Sequence, residues 1–154
     1  DAPAPGGGSV AALCGGLSVA LSAMVAQLST KISAKTWPYA TPRPEGWQSF
    51  DTLAMRAQQL REAFLHDVDA DTAAFDAMMA ARKLPKNTEV EKRARFKAVR
   101  AALIQAIETP LGVLRRTQAA LDCAELAMTG NPNARSDAGV AVSTARVWLY
   151  PATG

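Results

Sequence analysis

The chain has 154 residues and a mass of 16.2 kDa, with 49% hydrophobic and 20% charged residues. That length predicts a single domain, residues 1–154, or at most a domain and a fragment, with enough apolar material for a real core, and the composition excludes a disordered chain or a coiled coil. Aromatics are only 6% and alanine is abundant, which favours helices over sheets. The formal charge is +3, and the basic residues read as dispersed, so nucleic-acid binding has no support while a small anionic ligand is compatible.

The only histidine is His66, and the two cysteines, Cys14 and Cys123, form no CxxC pair. A usual zinc site, which needs about four N or S ligands, is thereby excluded, and a Cys–His nucleophile pair is poor. Two free thiols buried as small hydrophobes suit a reduced, cytoplasmic protein.

Residues 1–9, DAPAPGGGS, hold two prolines and three glycines and predict irregular chain, with Ser9 capping the helix that follows. In that helix Leu13, Leu17, Leu21, Met24 and Leu28 recur with the helical period. A second stripe, Gly8, Ala12, Gly16 and Ala20, puts a small residue at every fourth position. It predicts a central helix in a tight bundle, or a subunit interface. Val10 to Thr30 carries no charge and is long enough to span a bilayer. Its serines, Gln27 and Gly15-Gly16 favour a buried helix outside any membrane.

Residues 36–50 carry three prolines and the aromatics Trp37, Tyr39 and Trp47, and predict a long loop. Asp51 is placed to cap a helix running to about Lys83, with Leu53, Ala57, Leu60, Phe64, Val68, Phe75 and Met78 on its apolar face. At about 100° per residue Asp71 falls within roughly 40° of Phe64 and Phe75, whereas Asp69 and Asp76 point toward the polar side. An inward carboxylate is costly unless it is paired or hydrogen-bonded, and burial favours its neutral form. Asp71 is therefore either a general acid or base, or half of a buried ion pair.

Pro85 ends that helix, and Thr88 with Glu91 makes a capping box for the next, which carries Phe96, Val99, Leu103 and Ile107. Thr109-Pro110 either kinks this helix or starts another, lined by Leu114, Thr117, Leu121, Ala124 and Met128 and ended by Gly130. Asn131-Pro132-Asn133 is a turn, and Ser136 or Asp137 caps a last helix reaching about Leu149. The pattern predicts an all-α fold, a compact antiparallel bundle of about five helices.

Three further segments carry chemistry or plain structure. Gly6, Gly7 and Gly8 before a helix can expose N–H groups to a carboxylate or phosphate, or simply give a flexible entry. Residues 130–139, GNPNARSDAG, make a turn and a cap, and also offer polar groups to a heterocycle. Lys86-Asn87 beside Pro85 is a solvated pair or a pocket edge.

Taken together, PAPGGGSVAAL (3–13), MVAQL (24–28), DVDADTAAFDAMMAARKLPKNTEVEK (67–92), TPLGV (109–113) and GNPNARSDAGVA (130–141) resemble the cyclodeaminase/cyclohydrolase family of folate enzymes. The resemblance implies a helical homodimer or larger homo-oligomer acting on a tetrahydrofolate derivative, with no metal or redox cofactor and no nucleic-acid or membrane partner. The family's catalytic aspartate falls on Asp71. Gly6, Gly7, Gly8, Ser9, Lys86, Asn87, Asn131, Ser136 and Asp137 become substrate-binding candidates. The activity implied is hydrolysis of 5,10-methenyltetrahydrofolate to 10-formyltetrahydrofolate. The alternatives are release of ammonia from formiminotetrahydrofolate, and a non-catalytic helical module that keeps the folate pocket. Family members usually have a basic segment where this chain has its proline-rich loop, a helix before the glycine run, and a longer C-terminal part. A covered fragment and a reduced bundle are both compatible with those departures.

Overall fold

The computed structural model describes residues 6–30 and 50–147. The predicted loop at 36–50 lies outside the described residues except for Phe50, which opens a helix, and so does the predicted end of the last helix near Leu149. Four α-helices follow in order: α1 Gly7–Thr30, α2 Phe50–Lys83, α3 Glu89–Ala127 and α4 Arg135–Arg146, with a 3₁₀ turn at Pro132–Ala134 before α4. No strand occurs among the described residues.

The helices run alternately up and down. Ala11 packs in one cluster with Phe64 and Val113, while Val25 packs in another with Leu53, Cys123 and Ala138. A third cluster, Met78, Ala81 and Ala102, closes the α2–α3 hairpin beyond the start of α1. The core is thus three short layers stacked along the bundle, and α1 touches each of the other three helices.

The small-residue stripe of α1 is the buried one. Ala11, Ala12, Gly15, Gly16, Val19, Ala23 and Ala26 face inward, whereas Leu13, Leu17, Met24 and Leu28 are exposed. Both stripes have the helical period, so the period does not choose between them; the need for close helix approach does. A Cβ on Gly15 would lie 2.5–2.8 Å from the ring of Phe64, which is fully buried against it. α1 has a mean hydropathy of 1.9 over its most apolar window. Its buried serines are satisfied inside the bundle: Ser18 Oγ donates to the Ala141 carbonyl of α4 at 2.8 Å, and Ser22 and Ser29 donate to carbonyls one turn back.

Five boundaries differ from expectation. α1 begins inside the glycine run, so Ser9 lies in its first turn and is not its cap. α2 begins at Phe50, with Asp51 in its first turn. α3 passes through Pro110 without a break, which gives four helices where about five were expected. An interior proline costs a hydrogen bond. Here both flanks are anchored, by Ala102 on α2 and by Val113 in the central layer. α3 stops at Ala127, capped at Met128, three residues before Asn131 starts the 3₁₀ turn, and α4 begins at Arg135 with no side-chain cap from Ser136 or Asp137. The Thr88–Glu91 capping box is present in full.

Cys123 sits in the layer nearest the 3₁₀ turn, fully buried. Burial pushes its thiol from the ordinary 9.0 up to about 11, with Arg56 opposing and Asp122 adding to the rise. A thiol whose folded pKa lies above its unfolded one favours the fold while protonated. Its contribution is intact below about pH 9 and is lost as pH rises toward 11. Urea denaturation at pH 8 and pH 10.5 is expected to show the wild type losing more stability over that interval than Cys123→Ala.

Candidate active site

Asp71 lies on α2 at the level where α1 begins. The first turn of a helix has unsatisfied N–H groups, and here a residue of another helix supplies the acceptor. The Ser9 backbone N–H donates to Asp71 Oδ2 at 2.8 Å, and Ser9 Oγ donates to the same oxygen at 2.7 Å. A carboxylate at this place also complements the helix dipole, worth up to about 2 kcal/mol where partly buried. Ser9 is itself buried, held over the carboxylate.

The approach is possible because of Gly8. A Cβ on Gly8 would collide with Asp71 Oδ1 and lie 2.8 Å from its Cγ. Gly6, Gly7 and Gly8 then form one wall of a cavity of about 180 Å³, with Asp71, Thr72, Phe75 and Asp76 on the other. Asp76 was expected to point away. It lines the cavity because α1 stops at Gly7 and leaves the flank of α2 open there. Phe75, placed on the apolar face by its spacing, is exposed for the same reason. Asp71 is half-buried, and among the described residues no cation pairs with it.

The buried ion pair belongs to a different aspartate. Asp67, one turn before Asp71, is 4% exposed and is gripped by Arg116 of α3 through Nε at 2.7 Å and a second, short contact from Nη2. Periodicity could have found it, since Asp67 lies three residues after Phe64 and four before Asp71 on the same face. The pair ties α2 to α3 directly beneath the site. A shallow depression beside it, about 380 Å³, is lined by His66, Gln105, Glu108 and Thr109 as well.

The other predicted residues lie elsewhere in the chain. Lys86 lines a cleft of about 500 Å³ with Arg82, Lys92, Arg95, Phe96 and Val99. The Asn87 backbone N–H donates to Glu91 as part of the capping arrangement. Arg82 is on the same face of α2 as Asp71, about 17 Å farther along. The basic residues are not dispersed: residues 82–100 hold eight Lys and Arg against two Glu, a net of +6 in a chain whose total is +3. The Asn131 backbone N–H donates to Ser29 Oγ at the far end of α1, roughly 30 Å from Ser9 by helical rise. Its side chain accepts from the Asn133 N–H. Ser136 is exposed and Asp137 half-buried in the first turn of α4. Within the chain, then, the glycine run, Ser9 and Asp71 come together, while Lys86-Asn87 and the Asn131/Ser136/Asp137 group do not join them.

The formiminotransferase-cyclodeaminase family profile matches residues 1–153. The chain belongs to that family. It is 38% identical over 153 residues to a methenyltetrahydrofolate cyclohydrolase of Methylorubrum extorquens, covering 99% of this chain and 70% of the relative. It is 36% identical over 158 residues to the formimidoyltransferase-cyclodeaminase of Rattus norvegicus, covering 97% of this chain and 26% of that longer protein. The formiminotetrahydrofolate cyclodeaminase of Thermotoga maritima superposes with a TM-score of 0.72 at 26% identity, over 96% of this chain and 66% of that one. The glycine run and the acidic segment, distant in sequence, meet in the structure at Ser9 and Asp71.

Since Asp67 is buried and Arg116 is its cation, removing the arginine strands a charge. Arg116→Met is expected to lower stability by about 2–3 kcal/mol, read by urea denaturation at pH 7, and Asp67→Asn in the same chain is expected to restore most of it.

Proposed function

We propose that this chain hydrolyses 5,10-methenyltetrahydrofolate to 10-formyltetrahydrofolate. The observation that carries the reading is Asp71 itself: a carboxylate that pairs with no cation among the described residues, held at the wall of an open cavity beside three glycines. A scaffold-only module would tolerate Asp71 sealed by an ion pair, and that arrangement belongs to Asp67 instead. The 38% identity with a relative named for this hydrolysis supports the reaction. The structural likeness to a cyclodeaminase supports ammonia release from formiminotetrahydrofolate as the second reading.

In the hydrolytic direction water attacks the bridging carbon, which carries the delocalised positive charge of the five-membered ring. Ionised Asp71 takes the water's proton and stabilises the cation as it is attacked. The tetrahedral carbon then releases one ring nitrogen, which takes the proton back from Asp71, while the hydroxyl loses its proton to solvent and becomes the formyl carbonyl on the other nitrogen. In the deaminating direction the same group, protonated, donates to the leaving ammonia. No step runs through a metal or a redox cofactor. The folate's anionic glutamate tail is assigned to the Lys86 cleft. The strip of α2 from Asp71 to Arg82 points that way, and a Ser9 N–H of the glycine turn is already given to Asp71.

We assign the functional unit as a homodimer. Val10, Leu13, Leu17, Met24 and Leu28 form one outward stripe on α1, each 37–53% exposed, within roughly 60° of one another. A two-fold axis across the middle of that stripe would set the Asp71 end of one protomer beside the Asn131/Ser136/Asp137 end of its partner. The free thiols Cys14 and Cys123 suit a cytoplasmic setting.

The loss of methenyltetrahydrofolate absorbance in the near ultraviolet reads the reaction directly. Wild type is expected to exceed the spontaneous rate, and Asp71→Asn to fall by about a hundredfold or more in kcat with its fold intact. A variant with near-normal turnover would overturn the assignment of Asp71. Light scattering over a range of concentrations is expected to give twice the chain mass, and Leu17→Glu to give a single chain.

A further inference from the structure

We infer that Ser9 is a positioning residue that fixes which oxygen of Asp71 handles the proton, and that Oδ1, over Gly8, is that oxygen. The inference rests on the reading of Asp71 as the proton-transfer group. It replaces the sequence-based expectation that Ser9 contacts substrate.

Three observations lead to it. Both donors of Ser9 go to one oxygen, Oδ2, at 2.8 Å from N–H and 2.7 Å from Oγ. A hydroxyl has one proton, and the other acceptor near it among the described residues, the Val68 carbonyl, is at 3.4 Å, so the carboxylate takes it. At 2% exposure Ser9 has no surface left for a ligand. The third observation is Gly8. The space where its Cβ would stand is taken by Oδ1, and Oδ1 receives neither Ser9 donor. The two oxygens are therefore unlike. Oδ2 is anchored to the start of α1, and Oδ1 borders the glycine-walled cavity.

The consequence is a direction of attack. The reacting carbon and its water sit above the Gly6–Gly8 turn, and the proton passes from water to Oδ1 along a line that Ser9 sets by holding the other oxygen. Gly8 belongs to the same device, because any larger residue would push the carboxylate off that line.

The experiment measures kcat and KM separately for methenyltetrahydrofolate hydrolysis by the full chain. The panel is wild type, Ser9→Ala, Ser9→Thr, Gly8→Ala, Asp71→Asn and the double variant Ser9→Ala/Asp71→Asn. Ser9→Ala is expected to lose about tenfold to a hundredfold in kcat, the cost of a misaligned group, with KM within about twofold. Ser9→Thr, which keeps the hydroxyl, is expected to recover most of that loss. Gly8→Ala is expected to lose kcat in the same way. If Ser9→Ala does not fold by circular dichroism, Gly8→Ala carries the test. The decisive comparison is the double variant: Ser9→Ala is expected to add nothing to the loss already caused by Asp71→Asn. Losses that multiply in the double variant, or a raised KM with kcat preserved, would overturn the positioning role. Near-normal turnover by Asp71→Asn alone would instead remove the reading beneath it, so the two failures are distinguishable.

Discussion

Everything in this molecule depends on how closely the other helices can approach α1. Its inner face is built of alanine, glycine and serine, so three helices come near its backbone and the core is filled by few large side chains. Phe64 is the extreme case, with its ring where a Gly15 side chain would be. The same closeness brings α2 near enough for Asp71 to reach the first turn of α1. A helix start needs acceptors, a carboxylate needs donors, and the two meet across 62 residues of sequence. The packing of the core and the preparation of the site are one event.

The Asp67–Arg116 pair complements this arrangement from below. Asp71 is fixed to α1 by Ser9, and one turn earlier Asp67 is fixed to α3 by Arg116. That stretch of α2 is held from two sides, and the carboxylate at its end has little freedom to rotate away. An open cavity with a rigid floor is what proton transfer at a defined oxygen asks of a scaffold.

Much of this was legible in the residues. The presence of α1 and α2, the end of α2 at Lys83, the Thr88–Glu91 box and the inward place of Asp71 all follow from period and capping chemistry, which are local. What was not legible is decided by partners. The two stripes of α1 are equally periodic, and only the neighbouring helices settle that the small one is inside. Ser9 reads as a cap because Ser caps helices by local bonding, but here the acceptor arrives from α2, so the serine moves one turn inward. Pro110 reads as a break because its cost is local, while the packing that offsets it lies on both flanks. Asp67 needed no partner to be noticed, since the spacing that picks out Asp71 picks it out as well. The cluster of charge at 82–100 was equally countable, and is masked in the total by a net −3 over the remainder.

That cluster makes the protein a large electrostatic dipole along its own long axis. The end of the α2–α3 hairpin carries the positive excess, and the body carries the compensating negative one. A field of this shape orients an anionic solute before any contact is made, drawing it toward the hairpin end. The reach of that pull is set by the ionic strength of the surroundings.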